Sequence, residues 1–328
     1  MDANRRRWLQ GLAATAAVGI SHPFNPSAMA EEPQPADSNA ARRIVAEAIV
    51  AWGELQSRYR SAQYEVTGKG TVHRHGLQDL DGNLIPVTDY HFRHQVKYAI
   101  DLTRPRIRRE ATRDLFNLSD RRFETETLHD LFDGKEYQQY YPVRHAFDGK
   151  TANARYWQPR LVLRGGKRSQ LIVRAIDIPL FWNHGLLPIG SLKHTNLSMA
   201  PAADAFQYVG AGPEQMGDLH IVRLPSQRMT WEYWLSPDHA FLPIRRSAFY
   251  EGTETSRLTV QYKRQPDVTP LAESWTLTTF GVGRNGKQAI STVDRCRLAS
   301  ARFDDDLADV TFSMAPGPGI DVDDIRND

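Results

Sequence analysis

The stretch DYHFRHQVKYAID, from Asp89 to Asp101, alternates apolar and polar side chains almost residue by residue. Its even-numbered positions place large apolar side chains on one face, among them Tyr90, Phe92, Val96 and Tyr98, whereas its odd-numbered positions are mainly charged or polar. A period of two residues is typical of a strand with one buried and one solvated face, as in antiparallel sheets. The stretch therefore predicts a long antiparallel strand whose apolar face lines a core or a pocket.

Similar strands are predicted through most of the chain, with turn signals rather than long helices between them. Asp133-Gly134 joins Leu128–Phe132 to Lys135–Tyr141 and is the strongest hairpin signal in the sequence. A strand is predicted from Gln63, with Tyr64, Val66, Gly68, Gly70 and Val72 on one face. The other predicted strands are Arg104–Phe116, Arg121–Phe132, Asp218–Pro225, Met229–Leu235, Pro243–Glu251, Arg257–Arg264, Glu273–Phe280 and Gln288–Ala301. This succession predicts a mainly β (α+β) fold, built on a large antiparallel meander that is open or partly closed.

A helix is predicted before the first strand, because apolar residues recur there at spacings of three and four. Asp37 or Ser38 can cap its start, and Gly53 inside it costs roughly 1 kcal/mol. The apolar stripe consists of Ile44, Val45, Ala48, Ile49, Trp52, Leu55 and Tyr59. We expect this helix to pack on the sheet. Leu171–Trp182 is continuously apolar and is interpreted as a strand followed by a helix, with its length limited by Pro179.

The first 30 residues have the features of a cleavable twin-arginine signal peptide. Arg5–Gln10 reads RRRWLQ, Gly11–Ile20 is a short and mildly apolar segment, and Ala28–Ala30 is a small-x-small cleavage pattern. Residues 31–39 are rich in proline and polar residues and are predicted to be a flexible linker to a single β domain over residues 40–328. The twin-arginine translocase and a signal peptidase are thus the expected partners during export to the periplasm.

Charge and hydropathy exclude two classes of partner. The net charge of +2 is accounted for by Arg5, Arg6 and Arg7 against Asp2, so the remainder is balanced and does not favour nucleic-acid binding. Basic residues nevertheless predominate in residues 93–174 and acidic residues after residue 301, and we expect these groups to meet in the fold or to be solvated. After residue 30, no apolar run is long enough for an integral membrane span.

Motif searches identify no catalytic residue, and the sequence predicts no cofactor. Cys296, the single cysteine, lies in a strand-like run and is expected to be a small buried side chain, with a nucleophile as the alternative. The pairs His73-x-His75 and His91-x-x-His94 leave a metal site open, although exposed histidines are the preferred interpretation. Calcium binding by the acidic groups at 304–306 and 321–324 is a further alternative.

Several short motifs resemble the LolA/LolB-like superfamily of periplasmic lipoprotein carriers. They are FDGK at Phe132–Lys135, WEYWLSP at Trp231–Pro237, LPIR at Leu242–Arg245, and the closing segment Phe312–Asp324. The resemblance extends over Arg42–Asp324. It implies a strongly curved antiparallel sheet or half-barrel, with an N-terminal helix and short helices covering a concave face that holds acyl chains. It transfers no site residue.

The expected function is non-catalytic binding or carriage of a lipid-like or lipoprotein acyl ligand in a concave apolar cavity. Such binding would be driven by burial of the acyl chain, at about 0.8 kcal/mol per CH₂ group. The candidate cavity residues are Tyr90, Phe92, Val96, Tyr98, Trp231, Tyr233 and Trp52. Two alternatives are an envelope hydrolase that uses unidentified carboxylates or histidines, and a structural envelope protein that interacts through a sheet edge.

Overall fold

The computed structural model describes most of the chain after residue 37, and all of the described residues belong to one compact unit, Pro35–Asp328. The described ranges are 38–78, 83–104, 106–117, 122–141, 144–146, 155–157, 160–164, 170–172, 174–186, 191–193, 205–225, 229–265, 268–282, 288–314 and 318–324. The predicted signal peptide and residues 31–37 of the predicted linker lie outside these ranges.

Two α-helices and twenty strands are found within these ranges. The helices are α1 (Ser38–Arg58) and α2 (Ile178–Trp182). The strands in the first half are β1 (Ser61–Val72), β2 (Leu77–Gln78), β3 (Leu84–Ile85), β4 (Tyr90–Asp101), β5 (Arg106–Asn117), β6 (Arg122–Phe132), β7 (Tyr137–Tyr141), β8 (Arg144–Ala146), β9 (Arg155–Trp157), β10 (Arg160–Arg164), β11 (Gln170–Ile172) and β12 (Ser191–Lys193). Those in the second half are β13 (Gln207–Ala211), β14 (His220–Pro225), β15 (Met229–Ser236), β16 (Leu242–Tyr250), β17 (Thr253–Gln265), β18 (Val268–Val282), β19 (Gln288–Phe303) and β20 (Asp321–Asp324).

Fourteen of the strands form one large, open, curved sheet, in the order β13-β14-β15-β16-β17-β18-β19-β1-β4-β5-β6-β7-β10-β20. Neighbouring strands are antiparallel except for the short parallel pair β10–β20. The predicted mainly β, antiparallel fold class is therefore confirmed. Strand β1 lies in the interior of the sheet, between β4 and β19, so the beginning and the end of the domain pair directly.

The predicted hairpin at Asp133-Gly134 is confirmed, and its geometry follows from the two residue types. The Asp133 carboxylate accepts the backbone N–H groups of Lys135 and Glu136, both at 2.8 Å. Gly134 has a φ of 100°, a conformation that a residue without Cβ adopts at little cost. Phe132 therefore pairs directly with Tyr137 across the turn.

Helix α1 confirms the amphipathic helix predicted from the sequence. Five of the seven residues of the apolar stripe are buried: Ile44, Val45, Ala48, Trp52 and Leu55. All of them except Ile44 belong to the same hydrophobic core as the inner faces of the central strands, and the helix thus covers part of the sheet. Gly53 faces solvent, away from this contact.

The second cover of the inner face is α2 with the turn that follows it. Pro179 lies in the first turn of α2, where a missing N–H costs nothing, and residues 177–186 are all buried. Trp275 on β18 donates its indole N–H to the Ile176 carbonyl at 2.6 Å, and the Asn183 side chain accepts the backbone N–H of Ala272 at 2.9 Å. These bonds hold the segment against β18. No helix in the described ranges is both long and apolar enough to cross a membrane.

The basic and acidic regions meet in part, as the sequence predicts. Arg104 and Arg106 both contact the Asp309 carboxylate, at 3.1 and 2.7 Å, and the Arg106 guanidinium lies 4.4 Å from the centre of the Phe312 ring. Arg106 also forms a buried ion pair with Asp101. The acidic tail is thereby held on the edge of the sheet's core.

Candidate functional site

The inner face of the sheet, beneath α1 and α2, carries the main hydrophobic cluster of the described residues. Helix α1 is attached to it by packing and by two hydrogen bonds: Trp52 Nε1 donates to the Phe241 carbonyl, and Gln56 Nε2 donates to the Gly185 carbonyl, both at 3.1 Å. Gly185 has a φ of 64°, and a Cβ at this position would overlap the Trp52 backbone. The two covers therefore fit together closely at this glycine.

The structure brings most of the predicted cavity residues together. Trp52, Val96, Tyr98 and Tyr233 are all buried in the core cluster beneath α1, and Trp231 is half-buried and packs against the same cluster. Tyr90 and Phe92 lie on the same face of β4 but nearer the start of the strand, where they are half-buried and outside this cluster. The first five residues thus share one apolar environment, and the last two lie beyond it.

Trp231 and Trp234 on β15 face opposite sides of the sheet, as their odd and even positions in the strand predict. The Trp234 ring is covered by the Arg245 guanidinium at 4.4 Å from the ring centre, and its indole N–H is bonded to Glu232 at 2.9 Å. Trp234 therefore packs on the outer face of the sheet, whereas Trp231 and Tyr233 pack on the inner face.

A buried ion network borders the apolar core at β5 and β6. Arg109 donates to Asp177, which precedes α2, at 3.0 Å and to Asp130 on β6 at 3.2 Å. Tyr98 donates to the same Asp177 oxygen at 2.8 Å, and Tyr137 donates to Asp130 at 2.5 Å. The side chains of Arg109, Asp130 and Asp177 are at most 6% exposed. The network connects the turn before α2 to four strands, β4 to β7.

The electrostatics of this network indicate a structural role. Burial alone lowers the pKa of the Arg109 guanidinium, but the negative groups around it, Asp177 above all, raise this pKa above its ordinary value. Burial also raises the pKa of Tyr98 well above that of a free phenol. Each carboxylate is bonded to Arg109 and to a tyrosine hydroxyl, so neither is free to act as a general acid or base. These two carboxylates thus give no support to the hydrolase alternative.

A second polar cluster lies farther along the same face, where β4, β1 and β19 run side by side. His94 Nε2 lies 3.1 Å from the Cys296 sulfur, and His94 Nδ1 lies 3.6 Å from an oxygen of Asp294. The His94 side chain is only 6% exposed. The expectation that His94 is exposed is therefore wrong, whereas the predicted burial of Cys296 is confirmed.

Burial dominates the protonation of this second cluster. Burial raises the pKa of the Asp294 carboxyl to about 7 and lowers the pKa of His94 below its usual value. It also raises the pKa of the Cys296 thiol above its ordinary value, which argues against the nucleophile alternative for the metal-free thiol.

This cluster could not be predicted from local sequence patterns, because His94 lies about 200 residues from Asp294 and Cys296. A signal was nevertheless present in Gly68 and Gly70, which are spaced by two on β1. Gly68 pairs with His94 on one side and with Cys296 on the other, and Gly70 pairs with Phe92 and Asp294. Two glycines on the buried face of a central strand leave room for large side chains from the neighbouring strand to lie across it.

The other histidines singled out from the sequence do not join this cluster. His91 lies on the opposite, exposed face of β4 and contacts Thr71 at 3.0 Å. His73 contacts Asp89 at 3.2 Å, and His75 lies in the following turn with a φ of 60°. Among the described residues, the acidic group at 304–306 makes hydrogen bonds to the start of β1, with Asp304 accepting from the Arg60 backbone at 2.7 Å.

Comparisons with known proteins identify similar solved structures only. No family model and no curated protein matches this sequence. A DUF1329 family protein from Desulfovibrio piger is similar with a TM-score of 0.39 and 9% identity, over 83% of this chain and 97% of that chain. A LolA superfamily protein from Nitrosomonas europaea is similar with a TM-score of 0.40 and 11% identity, over 84% of this chain and 97% of that chain. At this level of similarity, neither comparison assigns a site residue.

Proposed function

We propose that this protein is an exported, non-catalytic carrier that binds a lipid-like or lipoprotein acyl ligand on the inner face of its sheet, beneath α1. The observation that carries the proposal is the arrangement of one long amphipathic helix over a continuous apolar surface of an open sheet. Export through the twin-arginine pathway to the periplasm belongs to the same proposal and rests on the sequence of the first 30 residues.

The contacts of α1 support a role as a displaceable cover. The helix lies at one end of the domain sequence and continues into β1 through Tyr59 and Arg60 alone. Packing and the bonds of Trp52 and Gln56 attach it to the rest of the domain. Each such bond contributes about 1 kcal/mol. Helix α1 can therefore move without disrupting any strand pair of the sheet.

The energetics set a minimum size for the ligand. In the structure, α1 and α2 fill the apolar face with their own side chains, so a ligand must replace the contacts of α1. Burial of an acyl chain contributes about 0.8 kcal/mol per CH₂ group, so a chain of roughly twelve or more carbons contributes about 10 kcal/mol. That is comparable to burying the four or five apolar side chains of α1, at about 2 kcal/mol each. We therefore expect long chains to bind and short chains to fail.

A matched pair of variants on α1 tests this proposal. Val45 is 2% exposed and faces the sheet, whereas Val50 is 63% exposed on the opposite side of the helix. Val45→Asp places a charge in the contact with the sheet and should displace α1, while Val50→Asp should leave α1 in place. The measurements are the amount of lipid co-purified per chain, by mass spectrometry, and the exchange rate of a fluorescent long-chain fatty acid.

We expect the unmodified protein and Val50→Asp to retain lipid and to exchange the probe slowly. Val45→Asp should lose most of its lipid and exchange the probe at least tenfold faster, with its strand content unchanged by circular dichroism. Absence of lipid from repeated preparations, together with no uptake of the fluorescent fatty acid, would rule out the carrier proposal.

A further inference from the structure

The cluster at the far end of the inner face contains three side chains that each carry a potential metal ligand. His94 comes from β4, and Asp294 and Cys296 come from alternate positions of β19, so all three face the same side of the sheet. One ligand atom from each lies within 4.8 Å of the other two. Three different ligand types thus converge from strands that are not adjacent to one another.

The backbone of β1 makes this convergence possible. Strand β1 separates β4 from β19, and Gly68 stands at the crossing point because it pairs with both His94 and Cys296. A Cβ at position 68 would overlap the imidazole ring. Without that Cβ, the His94 ring lies flat across the strand and reaches the sulfur. The cluster is therefore specified by a glycine in the centre of the sheet and not by a mobile loop.

One polar atom of the cluster, an oxygen of Asp294, is not satisfied by the described protein atoms. Asp294 Oδ1 is buried, and no hydrogen-bond partner for it exists in the part of the chain that the structure describes. The neighbouring cation Arg113 contacts Glu126, and Arg109 is bonded to Asp130 and Asp177. A buried carboxylate oxygen without a partner is costly, and a bound cation is one of the few ways to satisfy it. The Asp294 side chain is 17% exposed, which leaves access from solvent.

We propose that His94, Asp294 and Cys296 bind a divalent transition-metal ion of the zinc class. An imidazole nitrogen, a thiolate and a carboxylate together suit Zn²⁺ and not Mg²⁺ or Ca²⁺, which prefer all-oxygen sites. On binding, the thiol, and the carboxyl wherever it is protonated, release their protons to solvent as the bonds to the metal form. The thiolate and the carboxylate then balance the two positive charges. Three protein ligands leave a fourth position for water or a ligand atom. This site is independent of the carrier function proposed for the helix-covered face.

The test uses the purified chain, first freed of metal with a chelator. Zn²⁺ binding is measured by calorimetry and by elemental analysis after dialysis, and Co²⁺ is used as a spectroscopic probe, because a thiolate ligand produces a sulfur-to-cobalt charge-transfer absorption. The variants are Cys296→Ser, His94→Gln and Gly68→Ala. The matched control is His91→Gln, on the exposed face of the same strand. Thermal unfolding of each metal-free variant establishes that it is folded.

We expect one Zn²⁺ per chain and a thiolate–cobalt absorption in the unmodified protein and in His91→Gln. Cys296→Ser should abolish that absorption, and each of the three cluster variants should weaken Zn²⁺ binding by at least about 100-fold, more than the loss of an outer-shell partner. Gly68→Ala should do so without altering any ligand. A stoichiometry near zero, or Zn²⁺ affinity unchanged in folded Cys296→Ser, would overturn the assignment.

Discussion

The burial and ion pairing of Arg109 could not be predicted from its neighbours in the sequence. It lies in a basic stretch in which charged side chains were expected to be solvated or to meet the acidic tail, and Arg104 and Arg106 do meet Asp309. Arg109 instead lies on the buried face of β5, between Ile107 and Ala111 on the same face. It is stabilised there by Asp130 and Asp177, whose approach depends on chain segments far away in the sequence.

Loss of the Arg109 charge should be strongly destabilising, because it leaves two buried carboxylates without their cation. We expect Arg109→Met to lower the free energy of unfolding by about 3–5 kcal/mol. The matched change Arg302→Met, at a side chain that is 68% exposed, should cost less than about 1 kcal/mol. Urea unfolding measures both. Adding Asp177→Asn to Arg109→Met should recover part of the loss, and equal costs for the two arginines would contradict this account.

His184 should make stability depend on pH. Its Nε2 is hydrogen-bonded to the Tyr64 hydroxyl at 2.7 Å, the rings of Tyr59 and Phe303 surround it, and Asp304 is the nearby negative charge. Burial lowers the pKa of His184 to about 4, against about 6.5 in the unfolded chain. Between these values the unfolded state binds more protons, so this contribution to stability is complete above pH 6.5 and is lost as the pH falls toward 4.

The loss attributable to His184 should be roughly 3 kcal/mol between pH 7 and pH 4. Urea unfolding at a series of pH values should show a flatter profile for His184→Gln than for the unmodified protein. The exposed variant His91→Gln should leave the profile unchanged. Parallel profiles for His184→Gln and the unmodified protein would show that His184 is not the titrating group.

At the scale of elements, the two covers of the sheet were predictable to different degrees. The 3.6-residue period of α1 identifies its buried face directly, since the stripe repeats over several turns. The helix α2 has only five residues, and its place is decided by two bonds that β18 donates to its flanking residues, from the Trp275 indole to Ile176 and from the Ala272 backbone N–H to Asn183. The two covers contact each other at Gly185, and sequence periodicity contains no information about this contact.

Gly185→Ala should therefore loosen α1 specifically. The new methyl group would overlap the Trp52 backbone, and alanine is disfavoured at a φ of 64°. We expect a loss of about 1–3 kcal/mol in the free energy of unfolding, with faster amide hydrogen exchange in α1 than in β1. Gly53→Ala is the control: its Cβ meets nothing within 4 Å, and it should stabilise the protein by up to about 1 kcal/mol.

At the scale of the molecule, one sheet of fourteen strands connects most of the described domain. The pairing of β1 with β19 brings residues such as Ala62 and Phe303 together, and the core beneath α1 draws side chains from both halves of the chain. The short strands β13 and β20 form the two edges of the sheet, with five and four residues. Such short edges offer little backbone for pairing with a partner strand, so they do not favour the interaction-protein alternative.

A continuous sheet with a shared core should unfold as one unit. We expect urea unfolding followed by tryptophan fluorescence and by far-ultraviolet circular dichroism to give coincident transitions. Because β1 must pair with β19 across almost the entire domain, refolding should take milliseconds to seconds or longer. Two separated transitions would show that the halves of the sheet are independent cooperative units.

The sequence by itself determined the class of fold, the length of α1, the Asp133-Gly134 hairpin and most of the long strands, because period-two and period-3.6 patterns and turn residues act locally. It also placed Val96, Tyr98 and Tyr233 on buried faces. Only the tertiary structure decided that Arg109 lies between Asp130 and Asp177, and that His94 crosses Gly68 to reach Cys296. Those contacts depend on strand order and register, which arise from pairing between segments up to about 240 residues apart, and no local pattern specifies them.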